Sequence, residues 1–340
     1  MEDKGRLLMT ELMDKILRGN DEINLLTSLK GNILVVTMEV PWQVLQKQIN
    51  WSPSQIIWAH EMDLPVIEKL EQELPLFDWV VGIGGGVSCD LAKYIAWKKS
   101  IPLILVPTIV SVDAPFTPSI AVRENNVVRY IGNVVPDKII IDYNLVKSAP
   151  DNLNRAGVAD ILSIHTALCD WEYARKYNNE RYDEHIAQEA ERCLYDVDRN
   201  AEEIYKVSPK GIDTIVDLYC KEVELCNTFG NARPEEGSEH IVAYHVEYLT
   251  KRQFLHGDLV GLGIFCMSRL QENKVEWITK LLERCGVKYR VEGLSKDEIS
   301  QSLLRLKEFK DKTGLFFSVI DVKEINNEFV NNVLYKMNLT

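Results

Sequence analysis

The chain has 340 residues, 46% of them hydrophobic and 26% charged, so it is long enough to bury a core in each of two domains. Its formal net charge of -12, without a long Lys/Arg run, argues against a nucleic-acid-binding protein, because a phosphate backbone requires a basic surface. Charges interrupt the apolar stretches within a few residues, so we expect neither a signal peptide nor a membrane span, and we expect a cytoplasmic protein.

Short apolar runs separated by helical segments characterise the N-terminal part of the chain. Residues 1 to about 30 carry Leu and Met at helical spacing, seen best between residues 7 and 17, which predicts a helix there. The runs that are typical of strands buried on both faces cover residues 32–37, 55–58, 79–83 and 101–106. Helical segments at 65–74 and 90–98 alternate with them, which predicts a parallel sheet with right-handed crossovers. Residues 127–131 and 138–142 are expected to be a later pair of strands flanking the turn region 133–137.

After Pro150 the pattern changes to long helical periodicities. Apolar stripes mark residues 160–174, 214–229, 276–285 and 295–309, and Ser295 with Glu298 has the form of a capping box. The sequence therefore predicts an α/β protein with two domains. Residues 1–150 are expected to form a Rossmann-like, parallel-sheet domain that binds a dinucleotide. Residues 151–340 are expected to form an all-helical domain for metal and substrate, with the ligand in the cleft between the two domains.

A glycine run occupies the turn between a predicted strand and a predicted helix. The run Gly82-Ile-Gly84-Gly85-Gly86 directly follows the strand at 79–83, where backbone amides can approach a pyrophosphate. Its spacing is not GxGxxG, and a plain βα turn remains the alternative interpretation.

A second polar segment begins where the next strand ends. Thr108 and Ser111 offer hydroxyl groups at the edge of the sheet where ligands bind in open α/β folds. Asp113 can accept a hydrogen bond from a ribose or substrate hydroxyl; the alternative is an Asx turn before Pro115. The neighbouring glycine run favours the ligand contact.

Asp160, His240 and His256 are the candidate metal ligands. One carboxylate and two imidazoles can make a three-ligand site that leaves a position open for catalysis. Taken singly, Asp160 also suits the first turn of a helix, and a single histidine is more often structural than a ligand. The spacing alone leaves four further histidines as candidates, namely His60, His165, His185 and His245.

Five segments in this order resemble the iron-containing alcohol dehydrogenase and dehydroquinate synthase-like superfamily. They are GIGGGVSCDLAK, VPTIVSVDAP, NRAGVADILSIHTALCDWEYA, GSEH and LHGDLVGLG, and the resemblance runs from about residue 30 to residue 270. Within the superfamily, the last three segments look most like glycerol-1-phosphate dehydrogenases.

The resemblance implies a role for each motif residue. The residues implied for the pyrophosphate of NAD or NADP are Gly84, Gly85, Gly86, Val87 and Asp90, and those for the nicotinamide-ribose side are Thr108, Ser111 and Thr117. Asp113 would contact the substrate. A divalent metal, zinc first with iron or nickel as alternatives, would be held by Asp160, His240 and His256. Asp160 would also lie close to the substrate hydroxyls.

The chain departs from the glycerol-1-phosphate dehydrogenase pattern in two places. After the loop aspartate it reads Asp113-Ala-Pro-Phe-Thr117, which is closer to glycerol dehydrogenases. Tyr244 stands where a second histidine is expected, and His245 follows it, about 100° further around a helix. Tyr244 and His245 are nevertheless the candidates for passing a proton to the substrate.

The expected activity is reversible reduction of a small ketone, best dihydroxyacetone phosphate to sn-glycerol 1-phosphate, with NAD(P)H as hydride donor and a metal as Lewis acid. Three alternatives remain: a glycerol or polyol dehydrogenase, a cyclase similar to dehydroquinate synthase, and a non-catalytic nucleotide-binding member. The expected partners are the small-molecule substrate and further copies of the chain, with no nucleic acid and no membrane.

Overall fold

The computed structural model describes residues 11–124 and 127–339 of the chain. These residues form two compact units, 11–154 and 155–339. The division falls between Asn154 and Arg155, whereas the boundary expected from the sequence lies after residue 150.

A six-stranded sheet forms the centre of the first unit, next to a separate two-stranded sheet. The strands are β1 (Ile16–Gly19), β2 (Ile33–Thr37), β3 (Gln55–Trp58), β4 (Trp79–Gly84), β5 (Leu103–Pro107), β6 (Ser119–Glu124), β7 (Val127–Asn133) and β8 (Lys138–Asp142). The larger sheet has the order β1-β8-β5-β4-β2-β3, and every neighbouring pair in it is parallel. The α/β class with a parallel sheet is confirmed.

Helices cover the parallel sheet, as the apolar runs require. Every residue of β2 and of β5 is buried, which is why these strands read as continuous apolar runs. The helices of this unit are α1 (Glu39–Gln48), α2 (Leu64–Glu73), α3 (Gly86–Lys99) and α4 (Tyr143–Lys147). The predicted helix at 90–98 lies within α3, which begins earlier, at Gly86, so the last glycine of the run belongs to the helix.

The predicted helix at 7–17 is wrong at its C-terminal end. Residues 16 to 19 form β1, which pairs in parallel with residues 139 to 142 of β8, and residues 7–10 lie outside the described residues. Pairing with β8 at the edge of the sheet prevails over the local helical periodicity, since strand pairing is decided by tertiary contact.

The two later strands exist, but they do not form a pair. β7 pairs antiparallel with β6, a strand the sequence analysis missed, whereas β8 joins the large sheet beside β1 and β5. The segment between β7 and β8 is therefore a connection between two sheets.

The second unit is helical. After α5 (Asp151–Ala156), which spans the division, its helices are α6 (Val158–Asn178), α7 (Glu184–Tyr205), α8 (Pro209–Phe229), α9 (Ser238–Thr250), α10 (His256–Gln271), α11 (Val275–Cys285), α12 (Lys296–Leu304), α13 (Leu306–Thr313) and α14 (Asn327–Lys336). Two short 3-10 helices complete the described secondary structure, at Glu22–Ser28 and Val319–Asp321. Within the described ranges, no helix has both the length and the apolar character needed to cross a membrane.

The predicted helices of this unit are present, with one change. Residues 295–309 are divided between α12 and α13, because Arg305 leaves helical geometry at φ -105° and ψ 7°. The capping box at the start of α12 is confirmed: Ser295 Oγ accepts from the Glu298 amide at 3.3 Å, and the Ser295 amide donates to the Glu298 carboxylate at 2.9 Å. The sequence analysis did not predict α7, α9, α10 and α14.

Candidate functional site

Asp160, His240 and His256 come together in the helical unit. One potential ligand atom from each lies within 4.8 Å of the others. His256 Nε2 is 3.4 Å from Asp160 Oδ1, and the two imidazole ring centres are 5.4 Å apart. The predicted trio is therefore a spatial cluster with the donor set of an open zinc or iron site.

The beginnings of three helices position these side chains. Asp160 is the third residue of α6, His240 is the third residue of α9, and His256 is the first residue of α10. From His240 to the end of α9 the chain travels about 15 Å at 1.5 Å per residue. The non-helical residues 251–255 then lead the chain back toward the start of α9, since five extended residues span up to about 18 Å. This return explains how histidines sixteen positions apart meet.

The surroundings of His240 are strongly anionic. His240 Nδ1 donates to Glu239 Oε1 at 2.8 Å, which leaves Nε2 as the ligand nitrogen. Burial of the ring opposes its protonation, but the Glu239 hydrogen bond and the charges of Glu236 and Asp160 outweigh burial and raise the pKa of His240 to about 10. The donor set of one carboxylate and two imidazoles, with the carboxylates of Glu236 and Glu239 close by, fits a divalent metal ion.

Tyr244 lies beside this cluster. Its hydroxyl donates to Glu236 Oε1 at 2.8 Å, and its ring centre is 5.9 Å from that of His240. The position at which the family resemblance implies a second histidine is thus filled by a hydroxyl-bearing ring next to the metal candidate.

His245 has its partners on α12 and α13. Its Nδ1 is 2.9 Å from the Ser302 carbonyl oxygen, and its ring stacks on Phe309 at 4.7 Å. Burial of the ring lowers the pKa of His245. These contacts are those of a packed core histidine and do not support the predicted proton transfer by this residue.

The other candidate histidines lie outside the cluster. His165 Nε2 is 2.9 Å from the Asn273 carbonyl oxygen, and burial lowers the pKa of His165 to about 4. The side chain of His60 is 61% exposed near Glu39, and His185 lies in the first turn of α7. The three-ligand cluster found among the described residues contains none of them.

The glycine run begins α3 directly after β4. Gly84 has φ +144°, and a side chain there would meet Ser88 Oγ at 2.6 Å, so the turn itself requires glycine at this position. A Cβ atom at Gly85 would approach Ile109 Cδ1 at 3.2 Å, and one at Gly86 would approach Val112 Cγ2 at 3.1 Å and Ala114 Cβ at 3.7 Å. Packing therefore excludes a side chain less strictly at Gly85 and Gly86 than at Gly84. This is consistent with a functional role for these two glycines.

The carboxylate of Asp90 is engaged within the fold. It lies 2.8 Å from Lys93 Nζ and accepts from the Ala121 amide at 3.3 Å. Burial raises the pKa of Asp90, while the charge of Lys93 opposes this rise. In this structure the Asp90 carboxylate thus contacts Lys93 and the Ala121 amide, and its contact with pyrophosphate stays a prediction.

The remaining predicted residues of the first unit lie in the first turn of α3 and in the stretch after β5. The Thr108 amide donates to the Gly84 carbonyl at 3.1 Å, so Thr108 lies next to the glycine run, and Ser111 is buried nearby in the chain. The Asp113 carbonyl accepts from the Phe116 and Thr117 amides at 2.7 and 3.2 Å, which forms a turn through the backbone. Val87, in the first turn of α3, is 38% exposed.

Comparison with known proteins agrees with this geometry. Residues 19–150 match the family model described as iron-containing alcohol dehydrogenase. A glycerol-1-phosphate dehydrogenase [NAD(P)+] from Hyperthermus butylicus is 31% identical over 72% of this chain and 71% of its own length. The chain belongs to the iron-containing alcohol dehydrogenase superfamily. It is accordingly an oxidoreductase that acts on CH–OH groups.

Further members of the superfamily are similar across most of the chain. The glycerol-1-phosphate dehydrogenase [NAD(P)+] of Thermoplasma volcanium is 27% identical over 81% of each chain. The crystal structure of an iron-containing alcohol dehydrogenase from Corynebacterium glutamicum has a TM-score of 0.68 and 14% identity, covering 94% of this chain and 93% of its own. Glycerol dehydrogenase from Schizosaccharomyces pombe has a TM-score of 0.65 and 15% identity, covering 96% and 91%. The two solved structures confirm the fold.

Sequence reasoning missed three residues of the site. Glu239 contacts His240, Thr166 contacts Glu239, and the Asp170 carboxylate accepts from the Ser238 amide at 2.7 Å. Glu239 lies within the GSEH motif, directly before the candidate ligand His240, and this position could have indicated its role in the site.

Proposed function

We propose that the chain is an NAD(P)-dependent dehydrogenase that reversibly reduces dihydroxyacetone phosphate to sn-glycerol 1-phosphate. The observation that carries the proposal is the cluster of Asp160, His240 and His256, whose ligand atoms lie within 4.8 Å of one another. The glycerol-1-phosphate dehydrogenases that are 27–31% identical over most of the chain support the substrate and the cofactor.

Asp160, His240 and His256 would hold a divalent metal, with zinc as the first candidate and iron and nickel as alternatives. When bound there, the metal supplies Lewis acidity that polarises a carbonyl group and stabilises negative charge on its oxygen. Nε2 is the nitrogen of His240 that would bind this metal, because Nδ1 is 2.8 Å from Glu239 Oε1.

In the first unit, the start of α3 would bind the pyrophosphate of NAD or NADP. Its unpaired backbone amides and the helix dipole favour an anion, and the glycines at 85 and 86 leave their backbone accessible. Thr108, Ser111 and Thr117 would contact the nicotinamide-ribose side. Residues 1–150 would thus serve the cofactor, and residues 151–340 the metal and the substrate.

Tyr244 is the residue that we propose for proton exchange with the substrate. Its ring centre is 5.9 Å from that of His240, and its hydroxyl is oriented by Glu236, which accepts its hydrogen bond. Asp113 is proposed to contact the substrate hydroxyl. We assign no proton transfer to His245, whose ring is stacked in the core.

A glycerol or polyol dehydrogenase is the second candidate. The segment Asp113-Ala-Pro favours it, because this segment resembles glycerol dehydrogenases more than glycerol-1-phosphate dehydrogenases. The charges of Asp160, Glu236 and Glu239 also require that a phosphate group of about two negative charges be held away from them, at a cationic or amide-lined pocket.

A substrate panel separates these candidates. Zinc-loaded protein is mixed with NADH or NADPH and with dihydroxyacetone phosphate, dihydroxyacetone or another small ketone, and loss of absorbance at the nicotinamide band is followed. We expect a higher kcat/KM for dihydroxyacetone phosphate than for dihydroxyacetone. The reverse order would replace the first candidate with a polyol dehydrogenase.

A further inference from the structure

Glu239 is a buried carboxylate that faces a metal-ligand candidate. It has no exposed surface, and its Oε1 atom accepts from His240 Nδ1 at 2.8 Å and from the Gly237 amide at 2.6 Å. The Gly237 contact is a structural bond at the start of α9. The His240 contact is different, because it fixes which imidazole nitrogen carries the proton.

The other oxygen of Glu239 is held by a second helix. Glu239 Oε2 accepts from Thr166 Oγ1 at 2.6 Å, and Thr166, like Asp160, belongs to α6. The Thr166 carbonyl in turn accepts from Gln271 Nε2 at 2.9 Å, at the end of α10, the helix that His256 begins. The three helices that carry Asp160, His240 and His256, called the triad below, are thereby joined through Thr166.

The start of α9 is held close to α6. A side chain at Gly237 would meet the Ala167 Cα atom at 2.8 Å, and the Ser238 amide donates to the Asp170 carboxylate at 2.7 Å. His240 sits two residues further on, so its backbone has little freedom. The remaining freedom is rotation of the ring, which the Glu239 hydrogen bond restricts.

We infer that Glu239, itself oriented by Thr166, is a positioning residue that fixes the tautomer and the orientation of His240 for metal binding. This inference rests on the proposed function, since it assumes that the triad holds a metal. A carboxylate that accepts the Nδ1 proton increases the basicity of Nε2 and fixes the direction of its lone pair. Glu239 also supplies, with Asp160, two negative charges that balance a divalent cation.

Three variants test this role. Glu239→Gln keeps the shape and an oxygen for His240 Nδ1, but it removes the charge. Thr166→Val removes the hydroxyl that orients Glu239 at nearly unchanged volume, and Thr166→Ser restores it. Glu71→Gln is the matched control, because it removes a carboxylate that is 3.0 Å from Lys99 in the unit without the triad.

The measurements are metal affinity and the geometry of the bound metal. The dissociation constant for Zn²⁺ is determined by competition with a chromophoric chelator, and the visible absorption spectrum is recorded after loading with Co²⁺. Thermal unfolding of the metal-free proteins shows whether each variant is folded. None of these readouts depends on catalytic turnover.

We expect Glu239→Gln to weaken Zn²⁺ binding by about 10- to 100-fold and to change the Co²⁺ spectrum, since this is the usual effect of losing the partner of a histidine ligand. Thr166→Val should weaken binding in the same direction by a smaller factor, because Thr166 acts only through Glu239. Thr166→Ser and Glu71→Gln should bind like the wild type. If Glu239→Gln destabilises the fold, the Thr166 pair carries the test alone.

The two hypotheses fail in different ways. A wild-type protein that binds no Zn²⁺ at the triad would overturn the proposed function. A wild type that binds Zn²⁺, with variants of unchanged affinity and spectrum, would overturn the positioning role and leave Glu239 with the structural role of holding the Gly237 amide.

Discussion

His256 is the triad residue most open to solvent. Its side chain is 38% exposed, against 15% for Asp160 and 8% for His240, so truncating it removes a ligand without leaving a cavity in the core. We expect His256→Ala to lose most of the one metal ion per chain, and its activity with it, because two remaining ligands bind a divalent ion weakly. Metal analysis after dialysis measures the first effect and circular dichroism checks the fold.

The control for this prediction is His60→Ala, because His60 is a well-exposed histidine in the other unit. This variant should keep its metal. Full metal occupancy in His256→Ala would show that the metal lies elsewhere.

His165 provides a pH-dependent contribution to stability. Its pKa is lowered from 6.5 to about 4 in the folded chain by burial, so the unfolded chain takes up a proton first as the pH falls. Stability is therefore lost as the pH falls from about 6.5 to about 4, by up to about 3 kcal/mol for this shift.

The test compares the wild type with His165→Gln in urea unfolding at several pH values, both in EDTA. The variant lacks the titrating ring. The free energy of unfolding of the wild type, minus that of the variant, should therefore decrease as the pH falls through this window. A difference that stays constant between pH 7 and pH 4 would contradict the lowered pKa.

At the scale of the secondary-structure element, the buried side chain of Lys93 ties α3 to the segment that leads into β6. Lys93 has no exposed surface, and its Nζ donates to the carbonyl oxygens of Ala114 and Ser119 at 2.9 and 2.5 Å besides contacting Asp90. We expect Lys93→Met to destabilise the fold by about 3–5 kcal/mol, because it leaves a buried carboxylate without its cation.

Replacing Asp90 as well should recover a large part of this loss. The double variant Asp90→Asn with Lys93→Met removes the uncompensated charge, so its urea midpoint should lie above that of Lys93→Met. A Lys93→Met protein that unfolds like the wild type would exclude a stabilising role for this ion pair.

The glycines at the start of α3 are expected to be needed for binding of NAD(P)H. Val at Gly85 or Gly86 places a branched side chain over the amides proposed for the pyrophosphate. We expect NAD(P)H to bind more than about tenfold more weakly, equivalent to more than about 1.4 kcal/mol, with unchanged metal content. Fluorescence titration measures the affinity. Wild-type affinity in both variants would identify the run as a simple βα turn.

For the whole molecule, metal binding and folding are linked. A ligand that binds only the folded chain stabilises it by about 2.7 kcal/mol at a free concentration 100 times its dissociation constant. We expect Zn²⁺ to raise the unfolding temperature relative to EDTA-treated protein in the wild type and to have little effect on His256→Ala. Equal shifts in both proteins would indicate zinc binding outside the triad.

Several elements were predictable from the sequence because local rules agree with the final environment. β2 and β5 are buried on both faces, so their continuous apolar runs predict strands. The capping box at Ser295 marks the start of α12 because its hydrogen bonds close within four residues. The order of the five motifs indicated the superfamily before any geometry was known.

Other elements were mispredicted because distant pairing decides them. The Leu and Met spacing before Ile16 favours a helix, but residues 16 to 19 pair with residues 139 to 142, more than a hundred positions away. β7 and β8 both read as strands, and only the pairing shows that they belong to different sheets. A residue pattern predicts that a segment is a strand, but the strand with which it pairs is decided only in the folded chain.

The sequence by itself determined the superfamily, the parallel-sheet class and the choice of Asp160, His240 and His256 as candidate ligands, because these depend on residue identity and local periodicity. Tertiary structure alone decided that these three side chains meet, through the non-helical residues 251–255, and that Glu239 contacts His240 while Thr166 contacts Glu239. It also placed the Asp90 carboxylate beside Lys93 and packed His245 against Phe309. The physical reason is that metal ligation and buried hydrogen bonds depend on distances of a few ångströms between helices, which sequence spacing does not encode.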